Sequence, residues 1–350
     1  MTSSRPARPH QPTLEDVARS AGVSRATVSR VVNGTRNVDP EIQRVVQQAV
    51  AETGYVPNRA ARTLVTRRTD SVALVFSVPN HRAAEDPFMR QVFSDPFFGR
   101  IMGGLLTVLR PRGVHPVLML ADSEDARHDL VANLRQEHID GVALVSIAPG
   151  DSLPFLLTEA GVPTVLFARP QTPLPISYVD VAQQAGARTA AELLLSRGCR
   201  RITTIAGPYD SPAGQDRLAG FREAMAEHGH AFVPSVEGGF TQEGGEHAMR
   251  QLLGDHPDTD GVFVANDLMA QGALLVLRDH GRRVPEDVAV VGFDDSSAAL
   301  ASRPLLTTVR QPVEDMAAEM AALLMALIDD AEQETRSVIF KTTLVRRESA

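Results

Sequence analysis

The chain contains few of the residues that build disulfide-linked or membrane-spanning proteins. Its 350 residues include one cysteine, Cys199, one lysine and no tryptophan. A single cysteine excludes an internal disulfide and favours a reducing compartment. No stretch approaches the ~18 consecutive apolar residues of a membrane span. The first residues also lack the apolar core of an export signal. These absences predict a cytoplasmic protein with no membrane partner.

The patterns that accompany catalysis are missing as well. The 10 histidines are scattered without metal-ligand spacing, and no glycine-rich phosphate loop follows a predicted strand. No serine lies in the strand–turn–helix context of an activated nucleophile. The adjacent carboxylates Asp294 and Asp295 are weak grounds for acid–base chemistry. We therefore expect no enzymatic activity, no cofactor and no metal site.

Charge is distributed unevenly along the chain. The net charge is −8, yet residues 1–69 hold 11 arginines and only 5 acidic residues. This basic excess of about +6 is expected to attract the phosphates of nucleic acids. The remaining residues carry a net charge of about −14, so the two parts of the chain are predicted to have different partners.

Residues 13–34, within the basic segment, have the pattern of a helix-turn-helix. Thr13 and Asp16 have the spacing of a capping box at the start of a first helix. Gly22 allows a tight turn, and Ser24 is a suitable N-cap for a second helix. A third helix with its own N-cap and a proline at its first position follows. Three short helices form a small core whose main use is to present a surface.

The start of the second helix is predicted to read base sequence, because this part of a helix-turn-helix enters the major groove. Arg25 can form a bidentate contact with guanine, and Ala26 can contact a thymine methyl group. The residues assigned to phosphates or groove flanks are Thr27, Ser29, Arg30 and Asn33. The alternative is a three-helix module that binds a protein. The basic charge and the segment that follows disfavour it.

Residues 57–69 are predicted to form a linker that becomes helical when it docks on DNA. Residues 58–64 provide only about two turns of good helix formers, and isolated helices shorter than ~12–15 residues are marginal in water. Ala61 and Leu64 share one face, and a leucine wedge in the minor groove would kink the duplex. The alternative is a plain linker with an incidental leucine.

Three motifs carry a resemblance to a known family. They are residues 13–34, the segment Gly54-Tyr55-Val56-Pro57-Asn58, and the Arg-Ala-Ala-Arg-Thr-Leu that follows it. Together they resemble the LacI/GalR family of bacterial transcription regulators, and the likeness covers nearly the whole chain. Residues 64–74 and Asp95-Pro96-Phe97-Phe98 look most like actinobacterial members. Some of those members regulate the use of sugars, cellobiose among them.

This resemblance implies how the amino-terminal part is organised. A disordered tail at residues 1–12 would precede a small all-α helix-turn-helix headpiece at 13–56, and a hinge helix or linker would occupy 57–69. The further DNA contacts that it implies are Thr13, Ser24, Tyr55, Asn58, Arg59, Ala61 and Leu64.

From residue 70 onward, short β-branched runs alternate with amphipathic stretches. The predicted strands are Ser71–Val78, Val117–Leu120, Gly141–Ile147, Pro163–Phe167, Arg201–Ala206, Gly261–Ala265 and Val288–Phe293. The predicted helices are Glu124–Glu137, Gln183–Ser196, Asp216–His228, Gln242–Leu253 and Asp267–His280. Alternation of this kind predicts parallel sheets with helices on both faces.

The family resemblance implies that these elements form a periplasmic-binding-protein-like α/β core of two doubly wound parallel-sheet lobes at residues 70–350. The N-lobe is expected at about 70–178 plus 311–329, and the C-lobe at about 179–308 plus 335–347. The chain would cross between the lobes three times, the later crossings lying near 307–311 and 329–337.

Effector contacts are expected directly after the strands, because ligands of doubly wound sheets bind at the carboxyl ends of strands. The resemblance assigns such contacts to Arg217, Phe240, Asn266, Asp294 and Gln311, and we add Phe98, which follows the long loop after the first strand. Carboxylate, amide and guanidinium groups bind sugar hydroxyls, and aromatic faces stack on sugar C–H surfaces.

Each assignment has a structural alternative. Asn266 or Asp267 could cap one helix and Asp295 another, and Arg217 could pair with an acid such as Glu223. One of the two phenylalanines at 97 and 98 is expected in the core. Arg169 stands where some sugar-binding members carry an acid, which leaves an anionic effector open.

The sequence therefore predicts a homodimeric transcriptional repressor on inverted-repeat operator DNA, controlled by a small carbohydrate. Two-fold protein symmetry requires two-fold DNA, and the chain lacks the leucine-heptad tail that makes some relatives tetramers. A solute-binding protein for transport is disfavoured by the headpiece and the missing export signal. A sugar-modifying enzyme is disfavoured because no catalytic constellation is found.

Overall fold

The computed structural model describes residues 12–32, 38–55, 68–78, 95–136, 139–146 and 150–350, and leaves out the side chains of residues 135 and 136. The chain divides into two compact units, one up to Thr69 and one from Asp70 onward. The predicted tail up to residue 11 and linker residues 57–67 lie outside the described residues. So do the predicted DNA contacts Asn33, Asn58, Arg59, Ala61 and Leu64.

The described part of the amino-terminal unit consists of three helices: α1 (Leu14–Ala21), α2 (Arg25–Val32) and α3 (Pro40–Thr53). The predicted capping box is present, because Asp16 Oδ2 accepts from the Thr13 N–H at 2.9 Å while Thr13 Oγ1 accepts from the Asp16 N–H at 3.4 Å. Gly22 adopts φ 65°, the left-handed conformation that the turn requires. The helices enclose a small core of Val17, Ala18, Val28, Val46 and Ala49.

The first lobe of the core is a six-stranded sheet in the order β11-β5-β4-β3-β1-β2, with every neighbouring pair parallel. Its strands are β1 (Ser71–Ser77), β2 (His115–Ala121), β3 (Gly141–Ser146), β4 (Thr164–Phe167), β5 (Ser177–Val181) and β11 (Ser337–Phe340). The helices that pack on it are α4 (Pro96–Leu109), α5 (Glu124–Gln136), α6 (Leu153–Glu159) and α12 (Val313–Asp329). A short 3₁₀ turn, Arg110–Arg112, follows α4.

The second lobe repeats this plan with the strand order β12-β10-β9-β8-β6-β7. Its strands are β6 (Ile202–Ala206), β7 (Ser235–Glu237), β8 (Gly261–Val264), β9 (Ala289–Asp294), β10 (Thr307–Arg310) and β12 (Thr343–Val345). Its helices are α7 (Gln183–Ser196), α8 (Pro212–Glu227), α9 (Gln242–Asp255), α10 (Asp267–Asp279) and α11 (Ser297–Ala301). Only β12 runs antiparallel to its neighbour within this sheet.

The structure moves two of the expected lobe boundaries. Strand β5 pairs with β4, so the first crossing lies after Val181 rather than near residue 178. Residues 337–340 belong to the first lobe, because β11 pairs in parallel with β5 from Ser337 opposite Tyr178 to Phe340 opposite Val181. The expectation that 335–347 lie in the second lobe is therefore wrong for β11 and correct for β12. The third crossing lies at residues 341–342.

Buried apolar side chains fill both faces of each sheet. In the first lobe, α4 and α12 pack so closely that a Cβ on Gly104 would lie 2.2 Å from the carbonyl oxygen of Glu314. In the second lobe, helices α7 and α8 pack equally closely, because a Cβ on Gly220 of α8 would lie 2.3 Å from the Gln184 carbonyl oxygen of α7. Across the described residues, every helix is too short or too polar to cross a bilayer.

Candidate DNA-binding surface and effector site

The exposed start of α2 presents residues that were predicted to contact DNA. Ser24 caps the helix by accepting a hydrogen bond from the Thr27 N–H at 3.1 Å. Arg25 and Ala26 are exposed directly after the cap. The Arg25 guanidinium lies 3.2 Å from Glu15 of α1, an ion pair between two exposed side chains that water and salt screen.

The remaining predicted contacts in the described headpiece differ in exposure. Arg30 is exposed on α2, and Ser29 is partly buried on the same helix. Thr13 forms the cap of α1, and Tyr55 packs partly buried against the headpiece core. Thr13 and Tyr55 thus have clear structural roles in the absence of DNA.

A cluster of polar side chains lies at the carboxyl ends of the second-lobe strands, beside the crossings to the first lobe. Arg217 is at its centre on α8. It donates to Gln183 Oε1 at 2.8 Å, to the Ala265 carbonyl at 2.5 Å and to Asp294 Oδ1 at 3.2 Å. Gln311 donates to the same Asp294 oxygen at 2.7 Å. The structure therefore brings Arg217, Asp294 and Gln311 into direct contact, and Arg217 pairs with Asp294 rather than with a neighbour on its own helix.

Phe240 and Asn266 lie at the border of this cluster. Asn266 donates to the Phe240 carbonyl at 3.1 Å, and its side-chain oxygen accepts from the Met269 N–H at 2.9 Å. Asn266 is thus the N-cap of α10, as the structural alternative expected. The carbon at the centre of the Arg217 guanidinium lies 3.8 Å from the ring centroid of Phe293 and 5.7 Å from that of Phe240.

The backbone is strained at this same edge of the sheet. Asp294 has φ 112°, Asp295 has φ 53° and Phe240 has φ 60°, values that residues with side chains rarely adopt. Asp295 is held by Arg310 at 2.7 Å and by Arg347 at 2.5 Å. Ser296, and not Asp295, caps α11. Strain of this kind persists where surrounding contacts impose it, and it concentrates at functional sites.

The first lobe contributes aromatic side chains to the same region. Phe98 is only 6% exposed and packs edge-on against Phe76, with 4.8 Å between the ring centroids. Phe97 is partly buried and packs edge-on against Phe167 at 5.5 Å. Phe98 is therefore the core member of the pair. Its burial against Phe76 is explained without a ligand, and the prediction of an effector contact at Phe98 stays a prediction.

Two contacts connect the lobes at the mouth of the cleft. Arg169, after β4, forms an ion pair with Asp216 of α8 at 2.7 Å. Gln171 donates to the Asp210 carbonyl at 3.3 Å. A cavity of about 240 Å³ lies beside these contacts and is lined by Arg169, Pro170, Gln171, Asp210, Pro212 and Gln215.

Burial shifts the protonation of several groups near the strand ends. Desolvation raises the pKa of Asp294, although the nearby Arg217 and Arg100 charges oppose it. Desolvation also raises the pKa of Asp267, whose carboxylate accepts from Thr308 Oγ1 at 2.6 Å. In the first lobe, burial raises the pKa of Asp95 to about 6. Among the described residues, no group of histidine, cysteine, aspartate and glutamate is arranged to hold a metal ion.

Comparison with known proteins identifies both units. Residues 13–58 match the model of the bacterial regulatory proteins of the lacI family, and residues 191–350 match a periplasmic binding protein-like domain. The transcriptional regulator CelR of Thermobifida fusca is 47% identical over 98% of this chain and 99% of its own length. The chain belongs to the lacI family. It is a transcriptional regulator with a helix-turn-helix and a two-lobed α/β core, which confirms the predicted fold class.

Solved structures of lacI-family members superpose on nearly the whole chain. A CelR–cellobiose complex has a TM-score of 0.75 at 44% identity and covers 97% of this chain and all of that chain. A Lac repressor dimer bound to operator and the anti-inducer ONPF has a TM-score of 0.80 at 26% identity over 97% of this chain and 99% of that chain.

Sequence reasoning missed several residues that contact the candidate site. Gln183 is the second residue after β5, but residues 177–181 were not predicted as a strand, so the residues that follow them were not considered. Phe293 lies within a predicted strand, and its ring packs against the Arg217 guanidinium. Arg100 lies on α4 and reaches the site from the first lobe. The expectation that ligand contacts follow the carboxyl ends of strands could have found Gln183. The contacts of Phe293 and Arg100 depend on tertiary packing.

Proposed function

We propose that this regulator is a homodimeric repressor of an inverted-repeat operator and that a neutral disaccharide of the cellobiose type controls its affinity for DNA. The observation that carries this proposal is the Arg217–Asp294–Gln311 contact at the strand ends. Carboxylate, amide and guanidinium groups that contact one another still have donors and acceptors left to bond the hydroxyls of a sugar. The near full-length similarity to CelR, which has been solved with cellobiose, supports the choice of effector.

Charge pairing favours a neutral effector over an anionic one. Three arginines lie at the cleft, and each has a carboxylate partner within 3.2 Å. The pairs are Arg217 with Asp294, Arg169 with Asp216, and Arg100 with Glu314. An anionic ligand would have to compete with these carboxylates, whereas hydroxyl groups can add to the pairs without displacing charge.

The cavity at the cleft mouth favours an effector longer than one sugar ring. It holds about 240 Å³, and its lining residue Arg169 forms an ion pair with Asp216, the residue before Arg217 on α8. One ring placed against the cluster would leave the second ring in the mouth, where Gln171 and Asp210 offer polar atoms. Aromatic stacking would come from Phe97 and Phe240.

On the DNA side we assign base contacts to Arg25 and Ala26. The headpiece would comprise residues 13–56 and the linker 57–69, with the effector-binding core at 70–350. A Lac repressor dimer on operator superposes on nearly the whole chain, which supports a dimer here as well. We further propose a cytoplasmic protein that binds its sugar without chemical conversion, since the site at the strand ends is built from mutually paired groups.

The test is operator binding by the full-length protein, first selected on genomic fragments and then titrated with cellobiose. Saturating cellobiose is expected to change the operator Kd by at least about fivefold, the lower end of typical allosteric coupling. Asp294→Ala is expected to abolish this change while retaining operator binding. Arg25→Ala is expected to weaken operator binding while retaining calorimetric affinity for cellobiose. Failure to bind any genomic fragment, or an operator Kd indifferent to cellobiose, would contradict the proposal.

A further inference from the structure

Arg100, a side chain of the first lobe, reaches the strand-end cluster of the second lobe. It lies one turn into α4 and is only 16% exposed. One side of its guanidinium forms a two-pronged pair with Glu314, with Nε and Nη2 each 2.7 Å from a carboxylate oxygen. Both partners lie on helices of the first lobe, α4 and α12, which pack in backbone contact at Gly104. This pair is thus fixed within one lobe.

The other side of the same guanidinium points across the lobe boundary. Nη1 donates to the backbone carbonyl of Asp294 at 3.0 Å, and Nη2 donates to that of Gln311 at 3.1 Å. These carbonyls belong to the two residues whose side chains contact each other in the candidate effector site. The planar guanidinium of Arg100 therefore hydrogen-bonds the backbone of both Asp294 and Gln311. An arginine can do this because its five donors are fixed in one plane.

The two sets of contacts respond differently to lobe movement. If the lobes rotate about the crossings, Glu314 moves with Arg100, whereas the carbonyl of Asp294 moves with the second lobe. These hydrogen bonds are 3.0 and 3.1 Å long, so a further separation of about 0.5 Å would take both beyond the usual hydrogen-bond range. The backbone at Asp294, with φ 112°, needs neighbouring contacts to keep its conformation. Loss of the Arg100 contacts would free that backbone to relax.

We propose that Arg100 is a positioning residue that makes the geometry of Asp294 and Gln311, and hence effector affinity, depend on the arrangement of the two lobes. This inference rests on the proposed function. Arg100 acts through the backbone of the two residues that would touch the effector. It thereby links effector binding to the first lobe, the part of the core that follows the headpiece and linker in the chain.

The test compares three variants of the full-length protein. Arg100→Met removes both sets of contacts, and Arg100→Lys keeps the charge but not the planar fork. Arg188→Met is the matched control, because Arg188 forms a two-pronged pair with Glu227, at 2.5 and 3.0 Å, entirely within the second lobe. Each variant is measured for cellobiose affinity by calorimetry and for operator Kd with and without saturating cellobiose.

We expect Arg100→Met and Arg100→Lys to bind cellobiose about tenfold more weakly, the effect of losing one charged hydrogen bond. In both, the ratio of the two operator Kd values moves toward one, while Arg188→Met behaves as the unmodified protein. The inference is overturned if Arg100→Met keeps the cellobiose Kd and the operator ratio within about twofold of the unmodified protein, since a lost charged hydrogen bond should exceed that. It is also overturned if Arg188→Met shows the same losses.

A second readout separates this inference from the proposed function. Hydrogen exchange of peptides covering residues 290–300 and 308–315, measured without any ligand, should be faster in both Arg100 variants than in Arg188→Met. If cellobiose neither binds the unmodified protein nor changes its operator Kd, the proposed effector is wrong. The hydrogen-exchange rates alone then decide whether Arg100 positions the backbone. Unchanged exchange in the Arg100 variants would reject the positioning role.

Discussion

The two lobes of the core share one strand plan but contribute different chemistry to the cleft between them. The orders β5-β4-β3-β1-β2 and β10-β9-β8-β6-β7 are the same topology. In the second lobe Arg217, Asn266 and Asp294 lie at the strand ends and bond one another or the backbone beside them. The first lobe reaches this region with the arginines Arg100 and Arg169 and also contains the partly buried ring of Phe97. A common backbone plan therefore fixes where ligand contacts lie, and the residues after each strand fix what those contacts can bind.

The largest effect is expected at the first-lobe aromatic pair. Phe98→Ala should lower the free energy of unfolding by about 3–5 kcal/mol, because it removes a buried ring packed against Phe76. Phe97→Ala should cost less stability, since its ring is partly exposed, but should weaken cellobiose binding. Urea unfolding and calorimetry on both variants measure the two effects. Equal stability losses would show that the division between core ring and cleft ring is wrong.

A medium effect is expected when Asp95, the N-cap of α4 in the first lobe, is replaced by asparagine, the residue type that caps α10 in the second lobe. Asp95 caps α4 by accepting from the Phe97 N–H at 2.9 Å, and burial raises its pKa from 3.8 to about 6. The folded protein therefore binds this proton more tightly than the unfolded chain does. Stability from this group is full below about pH 4 and is lost as the pH rises to about 6.

Asp95→Asn keeps a cap acceptor and removes the buried charge, as Asn266 does in the second lobe. Above pH 6 the variant should be more stable than the unmodified protein by on the order of 2 kcal/mol, and at pH 4 the two should be equal. Thermal unfolding across pH 4–8 measures the difference. A constant difference at every pH would show that Asp95 does not titrate in this range.

The smallest effect is expected at the second-lobe cap. Asn266→Ala should lower the free energy of unfolding by about 1 kcal/mol, the usual cost of losing an N-cap. Asn266→Asp keeps an acceptor for the Met269 N–H but places a buried carboxylate against the Phe240 carbonyl, so it should not recover that stability at neutral pH. If cellobiose affinity falls in the alanine variant and not in the aspartate variant, the cap alone accounts for the role of Asn266.

Local sequence signals predicted the helices and the buried strands well. The helix at Gln183–Ser196 was predicted with its observed bounds, and the capping box of α1 was read from Thr13 and Asp16. These features depend on neighbouring residues and on the periodicity of apolar side chains. The strand-end rule then directed attention to Arg217 and Asp294, which the structure places in contact.

Features that depend on pairing with distant strands were missed. The β-branched run Val338–Val345 resembles one strand, but the structure divides it between two sheets, because β11 pairs with β5 and β12 pairs with β10. The short strand β7 has three residues, too few to show a pattern. The contacts of Arg100 join residues 194 and 211 positions away in the chain, a separation that no local window covers.

The division of the last strand run between two sheets limits how this protein can be recombined with its relatives. Neither lobe corresponds to one continuous stretch of coding sequence, because the first takes β11 and the second takes β12 from the last part of the chain. A chimera joined at a single point near residue 182 would give the first lobe its helix α12 and its edge strand β11 from the wrong parent, while the second lobe would come whole from the other parent. Exchanging whole lobes therefore requires a junction between the two parent sequences at each of the three crossings, near residues 182, 311 and 341.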